Sequence, residues 1–265
     1  MLTTPHNQCL PSTNQLAYNS VMHTLFLSDL HLTPERPAVT AAFLHFLEHQ
    51  APHADKIYLL GDLFEFWIGD DAASMLGAEP ILRAMHEASQ RTECFFIAGN
   101  RDFLVRDTFS QQSGFTILPD ETVIDLYGTA TLLLHGDSLC TDDVAHQQFR
   151  SAMMTNSHFC DAFLTLSIPE RIAKAKEARL QSYEHKSAVS MEIMDVTESA
   201  VRQAFDQHSV KQMIHGHTHR QHVHHYQIDG GPATRYVLGD WHSQTSVLTA
   251  DKDGLTIQNQ AIPND

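Results

Sequence analysis

Five short apolar runs in this chain stop abruptly at side chains that bind cations: LFLSDLHL, IYLLGDLFEFW, FFIAGNRDF, LLLHGDSL and MIHGHTHR. Runs of this length bounded by turn residues read as buried strands, so each motif falls where a strand leaves its sheet. In an extended chain, residues two apart project to the same side, which pairs Asp29 with His31 and His215 with His217. Asp62 follows Gly61, which permits a tight turn at a strand end. Asn100 and His135 stand in the same place after their own runs. Taken singly, each motif is ordinary: D-x-H is commonly a turn with a solvated histidine, and GD commonly caps a helix. Five of them in one chain, with three alternating imidazoles in HGHTH, serve no packing purpose.

The donors number seven: Asp29, His31, Asp62, Asn100, His135, His215 and His217. Carboxylate, imidazole and amide oxygen without thiolate suit a hard or borderline divalent ion such as Mn²⁺, Fe²⁺ or Zn²⁺. Seven groups exceed the needs of one such ion, so two ions sharing a carboxylate is the natural count. In α/β sheets, ligands gather outside the carboxyl ends of the strands, where all these motifs fall. The formal charge of −15 weighs against nucleic-acid backbone binding. An acidic chain that acts on anions needs a local source of positive charge, which bound metal supplies. The 19 histidines point the same way, although His222, His224 and His225 read as exposed or alternating on a strand. Cys9, Cys94, Cys140 and Cys160 form no C-x-x-C pair, so neither a disulfide framework nor a thiolate zinc site is expected.

A polar stretch over 1–21, rich in Asn, Gln, Ser and Pro, predicts a disordered arm before one domain over 22–265, with Met22 as a second possible start. No apolar run is long enough to span a membrane, and the N-terminus has neither the basic start nor the apolar core of a signal peptide. A cytoplasmic protein is expected. Strands at 24–28, 57–60 and 94–98 alternate with helices at 37–50, 78–91 and 104–113. TVIDLYG and ATLLLHG predict a hairpin, and QMIHGH, HVHHYQI, ATRYVLG and SVLTAD supply four further strands. This order predicts an α/β fold of two packed β-sheets flanked by helices. Between His135 and His215 the strand signal lapses, so a helical insertion is expected at about 143–195, with Pro169 at a first helical position. A further helix over 198–207 is predicted with Asp195 as its cap and Glu198 closing a capping box.

The pattern D-x-H, GD, GN-[HR]-D, H-G-D, G-H-x-H resembles that of the calcineurin-like metallophosphoesterase superfamily and is met in full. The resemblance implies that Asp29, His31, Asp62 and His217 hold one metal and that Asp62, Asn100, His135 and His215 hold the other, with Asp62 bridging. SDLHL, GDLFEFWIGDD, GNRDFL, HGDSLCTDD, EIMDV, IHGHTHR and VLGDWH further resemble the branch that cleaves UDP-2,3-diacylglucosamine in lipid A biosynthesis. That resemblance covers nearly the whole chain from residue 23. It implies a diphosphate hydrolase giving UMP and 2,3-diacylglucosamine 1-phosphate, two Mn²⁺ ions that activate a hydroxide, and peripheral contact with the inner membrane. The sequence leaves the oligomeric state open, and a monomer is the expectation.

Most of the superfamily has His after the Asn of the third motif; here Arg101 takes that place. A guanidinium cannot act as a general acid, but it can grip phosphate oxygens. Diphosphate cleavage expels a phosphate ester that needs charge stabilisation more than a proton. Arg101, Asn100 and His215 are therefore the expected catalytic groups, with Asp102 orienting His135 or Arg101. The resemblance implies substrate contacts from Asn100, Arg101, Asp143, Ser182, Lys186, Val189 and His215, with Trp67 and Phe149 nearby. Better-known members carry Asn near 186 and Lys near 189, so Lys186 and Val189 are departures. Phe159, Phe163, Leu164, Leu166 and Ile168 are candidates for an acyl-chain cavity, and Lys174, Lys176 and Arg179 for contact with anionic lipid or a solvated helix face. Competing readings are a cyclic-nucleotide phosphodiesterase, a dinucleotide polyphosphate hydrolase, a protein phosphatase, or a non-catalytic scaffold.

Overall fold

The computed structural model describes residues 23–188, 193 and 195–263, with the backbone alone over 181–188. The expected arm over 1–21 and Val189 lie outside the described residues.

Strands β1 (Thr24–Leu27), β2 (Lys56–Leu60), β3 (Glu93–Ile97) and β4 (Thr116–Leu118) run parallel, linked by helices α1 (Pro37–His49), α2 (Glu79–Ser89) and α3 (Asp107–Ser113). A hairpin, β5 (Thr122–Leu126) and β6 (Thr129–Leu133), opens a second sheet. Helices α4 (Val144–Phe149), α5 (Ser157–Leu164), α6 (Ile168–Ala188) and α7 (Glu198–His208) follow, and no strand interrupts them among the described residues. The second sheet is completed by β7 (Gln212–His215), β8 (His222–Ile228) and β9 (Gly231–Val237). The chain then returns to the first sheet as the hairpin β10 (Val247–Asp251) and β11 (Gly254–Gln258). The strand orders are β11-β10-β1-β2-β3-β4 and β5-β6-β7-β9-β8.

The period-two alternation of the strands builds the layers. Phe26, Tyr58, Leu60 and Ile97, with Leu248 of β10 beside them, face the second sheet and meet Leu126, Leu133, Ile214 and Leu238. Their neighbours Leu25, Leu27, Ile57, Leu59 and Phe96 face the other way, against Phe43 and Phe46 of α1, Leu82 and Met85 of α2, and Phe109 of α3. On the outer face of the second sheet, Leu132, Leu134 and Met213 pack against Val201 and Phe205 of α7. The result is the expected pair of sheets flanked by helices.

Strands β4 and β11 are additions to the predicted set. At three half-exposed residues β4 is too short to show a period. β11 follows the turn Asp251–Gly254, whose Asp-Gly pair is a hairpin signal the sequence does carry. The cap of α7 is Thr197, whose hydroxyl accepts the Ala200 N–H, and not Asp195. Asp195 instead accepts its neighbour's Val196 N–H and pairs with Arg220, while Glu198 pairs with Arg202 one turn on.

A buried cation ties the helical insertion to the segment after β2. Arg171 of α6, 2% exposed, donates to Ile68 O at 2.6 Å and to both carboxylate oxygens of Asp71, in the segment after β2. Arg171→Met is expected to leave Ile68 O unpaired and to cost about 1–3 kcal/mol. Because the contact is local, the loss should appear first as faster hydrogen exchange and proteolysis within 144–188, with exchange in β1–β3 unchanged.

Candidate metal centre

The ends of β1, β2, β3, β6 and β7 converge, and backbone bonds fasten their loops together. Asp29 N–H donates to Gly61 O (3.1 Å), His31 N–H to Asp62 O (3.0 Å), and Leu32 N–H to Leu63 O (2.8 Å). Five of the eight described non-glycine residues with positive φ lie here: Asp29, His31, Asp62, His217 and His219. Left-handed backbone costs these residue types free energy and persists where the surroundings over-determine it, typically at functional sites. Two glycines allow the close approach. A Cβ on Gly99 would lie 2.3 Å from Asp62 Oδ1, and one on Gly216 would lie 2.2 Å from Asp29 Oδ2.

Asp29 is fully buried. Its Oδ2 accepts the Ser28 hydroxyl (2.6 Å) and the His217 N–H (2.9 Å). Its Oδ1 has no hydrogen bond, although His219 Nε2 is 3.3 Å and His31 Nε2 4.0 Å away. Asp62 lies between two imidazoles, with Oδ1 3.6 Å from His135 Nε2 and Oδ2 3.8 Å from His31 Nε2. Asn100 Oδ1 is 3.0 Å from both His135 Nε2 and His217 Nδ1. His135 Nδ1 contacts Leu60 O at 2.8 Å, so the proton belongs on that nitrogen and Nε2 faces Asp62 and Asn100. Donor atoms of Asp29, Asp62 and His135 lie within 4.8 Å of one another, as do those of Asp29, His31 and His219.

Burial opposes charge throughout, and the carboxylates decide which imidazoles keep a proton. His135 rises to about 9: burial pulls it down, but Asp62 and Asp29 outweigh that. His219 rises to about 10 against burial because of Asp29 and the Asp240 contact. His31 falls to about 4 through burial, despite Asp62 and Asp29. The Asp29 carboxyl is held well below its usual range: burial would raise it, but His219, His135 and His31 dominate. Buried oxygen and nitrogen donors with an unpartnered carboxylate oxygen and no thiolate fit a hard or borderline divalent cation.

Asp29, His31, Asp62, Asn100, His135 and His217 are thus together. His215 is turned aside: its Nδ1 contacts Gly216 O at 2.8 Å, and its Nε2 meets Arg235 Nη1 at 2.9 Å. Burial, then Arg235, lowers its pKa to about 3. Asp102 touches neither His135 nor Arg101 by its carboxylate. It accepts the N–H groups of Gly99 (2.7 Å), Leu63 (2.7 Å) and Asp62 (3.3 Å), so it fixes the two loops rather than a side chain. Arg101 N–H donates to Asp62 Oδ1 at 2.8 Å, while its side-chain Nε is buried without a partner.

Among the expected substrate contacts, Asp143 is 8% exposed and caps α4 by accepting the His146 N–H. Ser182 and Lys186 lie on α6, where the backbone alone is described. Trp67 is buried at 1%, stacked on Phe64, with Nε1–H donating to Asp70, so it serves the core. Phe163 packs against that same core. Phe149 lies edge-on to Phe103. Arg179, 45% exposed, pairs with Glu65 of the metal loop, and Glu65 Oε2 in turn is 3.6 Å from His31 Nδ1. Sequence reasoning passed over Glu65, His146, His219 and Asp240. His219, the third imidazole of HGHTH, and Asp240, after the apolar run of VLGDWH, carried a visible signal.

A buried acid near the centre gives a pH prediction. Asp137, 2% exposed, accepts Arg150 Nε–H at 3.0 Å and lies 3.4 Å from His146 Nε2. Burial would raise its carboxyl, but the His146 contact, His135, His217 and Arg150 hold it below the usual range. A depressed folded value contributes stability above the unfolded pKa that is lost as pH falls through the folded one. Acid unfolding of Asp137→Asn is therefore expected to depend less on pH below about 4 than that of wild type, measured as Tm against pH.

A model described as calcineurin-like phosphoesterase matches residues 22–221. The chain belongs to the calcineurin-like phosphoesterase family. Within this family it is 47% identical to a UDP-2,3-diacylglucosamine hydrolase of Xanthomonas axonopodis pv. citri over 249 residues, 91% of this chain and 100% of that protein. It is also 47% identical to a UDP-2,3-diacylglucosamine hydrolase of Serratia proteamaculans, over 89% of this chain and 98% of that one. Among solved structures, the E. coli phosphoesterase Yfce aligns over 91% of this chain and 100% of its own, with TM-score 0.42 and 15% identity. No described helix of this family member is long and apolar enough to cross a membrane.

Proposed function

We propose that this chain hydrolyses the diphosphate bond of UDP-2,3-diacylglucosamine, giving UMP and 2,3-diacylglucosamine 1-phosphate. The observation that carries the reading is the 47% identity, along nine-tenths of the chain, to hydrolases of that name. The family motifs are complete in this sequence, which supports catalysis over a scaffold role.

Asp29, His31, Asp62, Asn100, His135, His215 and His217 are proposed to hold two divalent ions, Mn²⁺ by the resemblance. His215 enters that set by exchanging its Arg235 contact. Divalent ions bound there supply Lewis-acid stabilisation and a water of lowered pKa. The chain's own groups do the rest. Asp62 presents one oxygen to each side of the centre, and Asp102 holds the loops of Asp62 and Asn100 in register through three N–H groups. Arg101, with its Nε unpartnered, grips the phosphate oxygens as negative charge builds on the leaving group. The helical region at about 143–195 is proposed as a lid over the lipid chains, with Ser182, Lys186 and Val189 on the substrate side. Exposed Val144 and Leu180 on that region favour peripheral contact with the inner membrane.

The test is Mn²⁺-dependent release of UMP from the acylated UDP-sugar. Brisk cleavage of a simple phosphodiester without UMP release would replace the substrate assignment and keep the metal centre.

A further inference from the structure

His219 and Asp240 have no role in the reading above, yet they complete one side of the centre. The His219 ring lies between two carboxylates, with Nδ1 3.1 Å from Asp240 Oδ2 and Nε2 3.3 Å from Asp29 Oδ1. That same Nε2 is 3.2 Å from His31 Nε2. Three donor atoms, two nitrogens and one oxygen, are therefore 3.2, 3.3 and 4.0 Å apart. Donors bound at about 2.1 Å to one cation, at tetrahedral to octahedral angles, stand about 3.0–3.4 Å from one another. Both separations from His219 Nε2 fall in that range, and the 4.0 Å between Asp29 Oδ1 and His31 Nε2 requires a wider angle or a small inward shift on binding. The oxygen of this trio, Asp29 Oδ1, is the buried one without a hydrogen bond.

Asp240 is not a loose surface carboxylate. Its neighbour Trp241 is fully buried against Phe43 and Phe46 and donates its backbone N–H to Asp29 O at 3.1 Å. On the other side, Gly239 N–H donates to Ser246 Oγ at 2.9 Å. The loop after β9 is thus pinned to the loop after β1, and Asp240 is held where it meets His219 Nδ1. A carboxylate on one imidazole nitrogen fixes the tautomer, orients the ring and raises the basicity of the other nitrogen. The HGHTH segment then divides its labour: His217 turns to Asn100 and His219 to Asp29 and His31.

We propose that His219, oriented by Asp240, is a ligand of the cation held by Asp29 and His31, and that Asp240 is its positioning residue. This rests on the reading of the site as a divalent-metal centre and not on the substrate. The alternative is that His219 only neutralises Asp29, and the two roles predict opposite signs. Removing a ligand weakens metal binding; removing a competing ion-pair partner frees Asp29 and leaves binding unchanged or tighter.

The experiment is Mn²⁺ titration of the full chain by calorimetry, with pulsed electron paramagnetic resonance to count imidazole nitrogens bound to Mn²⁺, and circular dichroism to confirm folding. His219→Ala should weaken one bound ion at least 10-fold and lower the nitrogen count. Asp240→Asn should weaken the same ion about 10–100-fold, and Asp240→Glu should restore part of the loss. Equal or tighter Mn²⁺ binding in His219→Ala, or an unchanged nitrogen count, overturns the proposal while leaving the metal centre in place. Wild-type protein that takes up no Mn²⁺ overturns both.

Discussion

Asp62→Ala is expected to lower kcat/KM for UMP release at saturating Mn²⁺ by at least about 10³-fold, equivalent to about 4 kcal/mol of transition-state stabilisation, while leaving the metal-free fold at least as stable. Activity should fall because Asp62 alone presents one oxygen toward His31 and the other toward His135, at 3.8 and 3.6 Å. No neighbouring side chain can take over both. Stability should hold because the buried carboxylates repel one another. Asp102 is raised to about 7, first by burial and next by the charge of Asp62. Removing Asp62 relieves that repulsion at the cost of the Arg101 N–H contact and of the attraction to His135, which can shed its proton once that carboxylate is gone. Function and stability therefore pull apart at this residue, as expected of a site that holds like charges together for use. Steady-state kinetics and the Tm of the metal-free variant check the two halves; activity within tenfold of wild type would remove Asp62 from the centre.

The parallel strands were legible because burial on both faces leaves uninterrupted apolar runs, and β1, β2 and β3 fall within a residue of their predicted bounds. The donors were legible because polar groups stood directly after those runs. What the pattern does not carry is backbone conformation after the strand ends. The two-residue rule assumes an extended chain, whereas Asp29, His31, His217 and His219 all have positive φ. Asp29 and His31 still face the centre, but by left-handed turns and not by strand alternation. In HGHTH the same departure aims His217 and His219 at different groups, while His215 turns to Arg235. Partners distant in sequence, such as Arg171 with Asp71 or His219 with Asp240, leave no local mark at all. Asp102 misled for a related reason: a carboxylate beside an arginine suggests a side-chain pair, but in a buried loop three unsatisfied N–H groups claim it first.

Arg101→Ala is expected to reduce kcat about 10²–10³-fold, the usual loss on removing one donor from a site of developing negative charge, with a smaller rise in KM. The effect should come from the side chain alone. The Arg101 backbone N–H donates to Asp62 Oδ1 at 2.8 Å and its carbonyl accepts the Trp67 N–H at 2.8 Å, and both contacts survive the substitution. Mn²⁺ stoichiometry should therefore be unchanged, which separates this variant from Asp62→Ala. Arg101→Lys should recover only part of the rate, since an ammonium cannot make two parallel bonds to a phosphate. Arg101→His discriminates further. If charge stabilisation is the task, an imidazole helps only while protonated, so its residual activity should fall as pH rises through about 6.5, whereas the wild-type guanidinium stays charged across that range. A histidine variant as active as wild type at about pH 8, where the imidazole is largely neutral, would mean that the step needs neither a positive charge nor an imidazolium proton at this position, and that Arg101 has been given the wrong work.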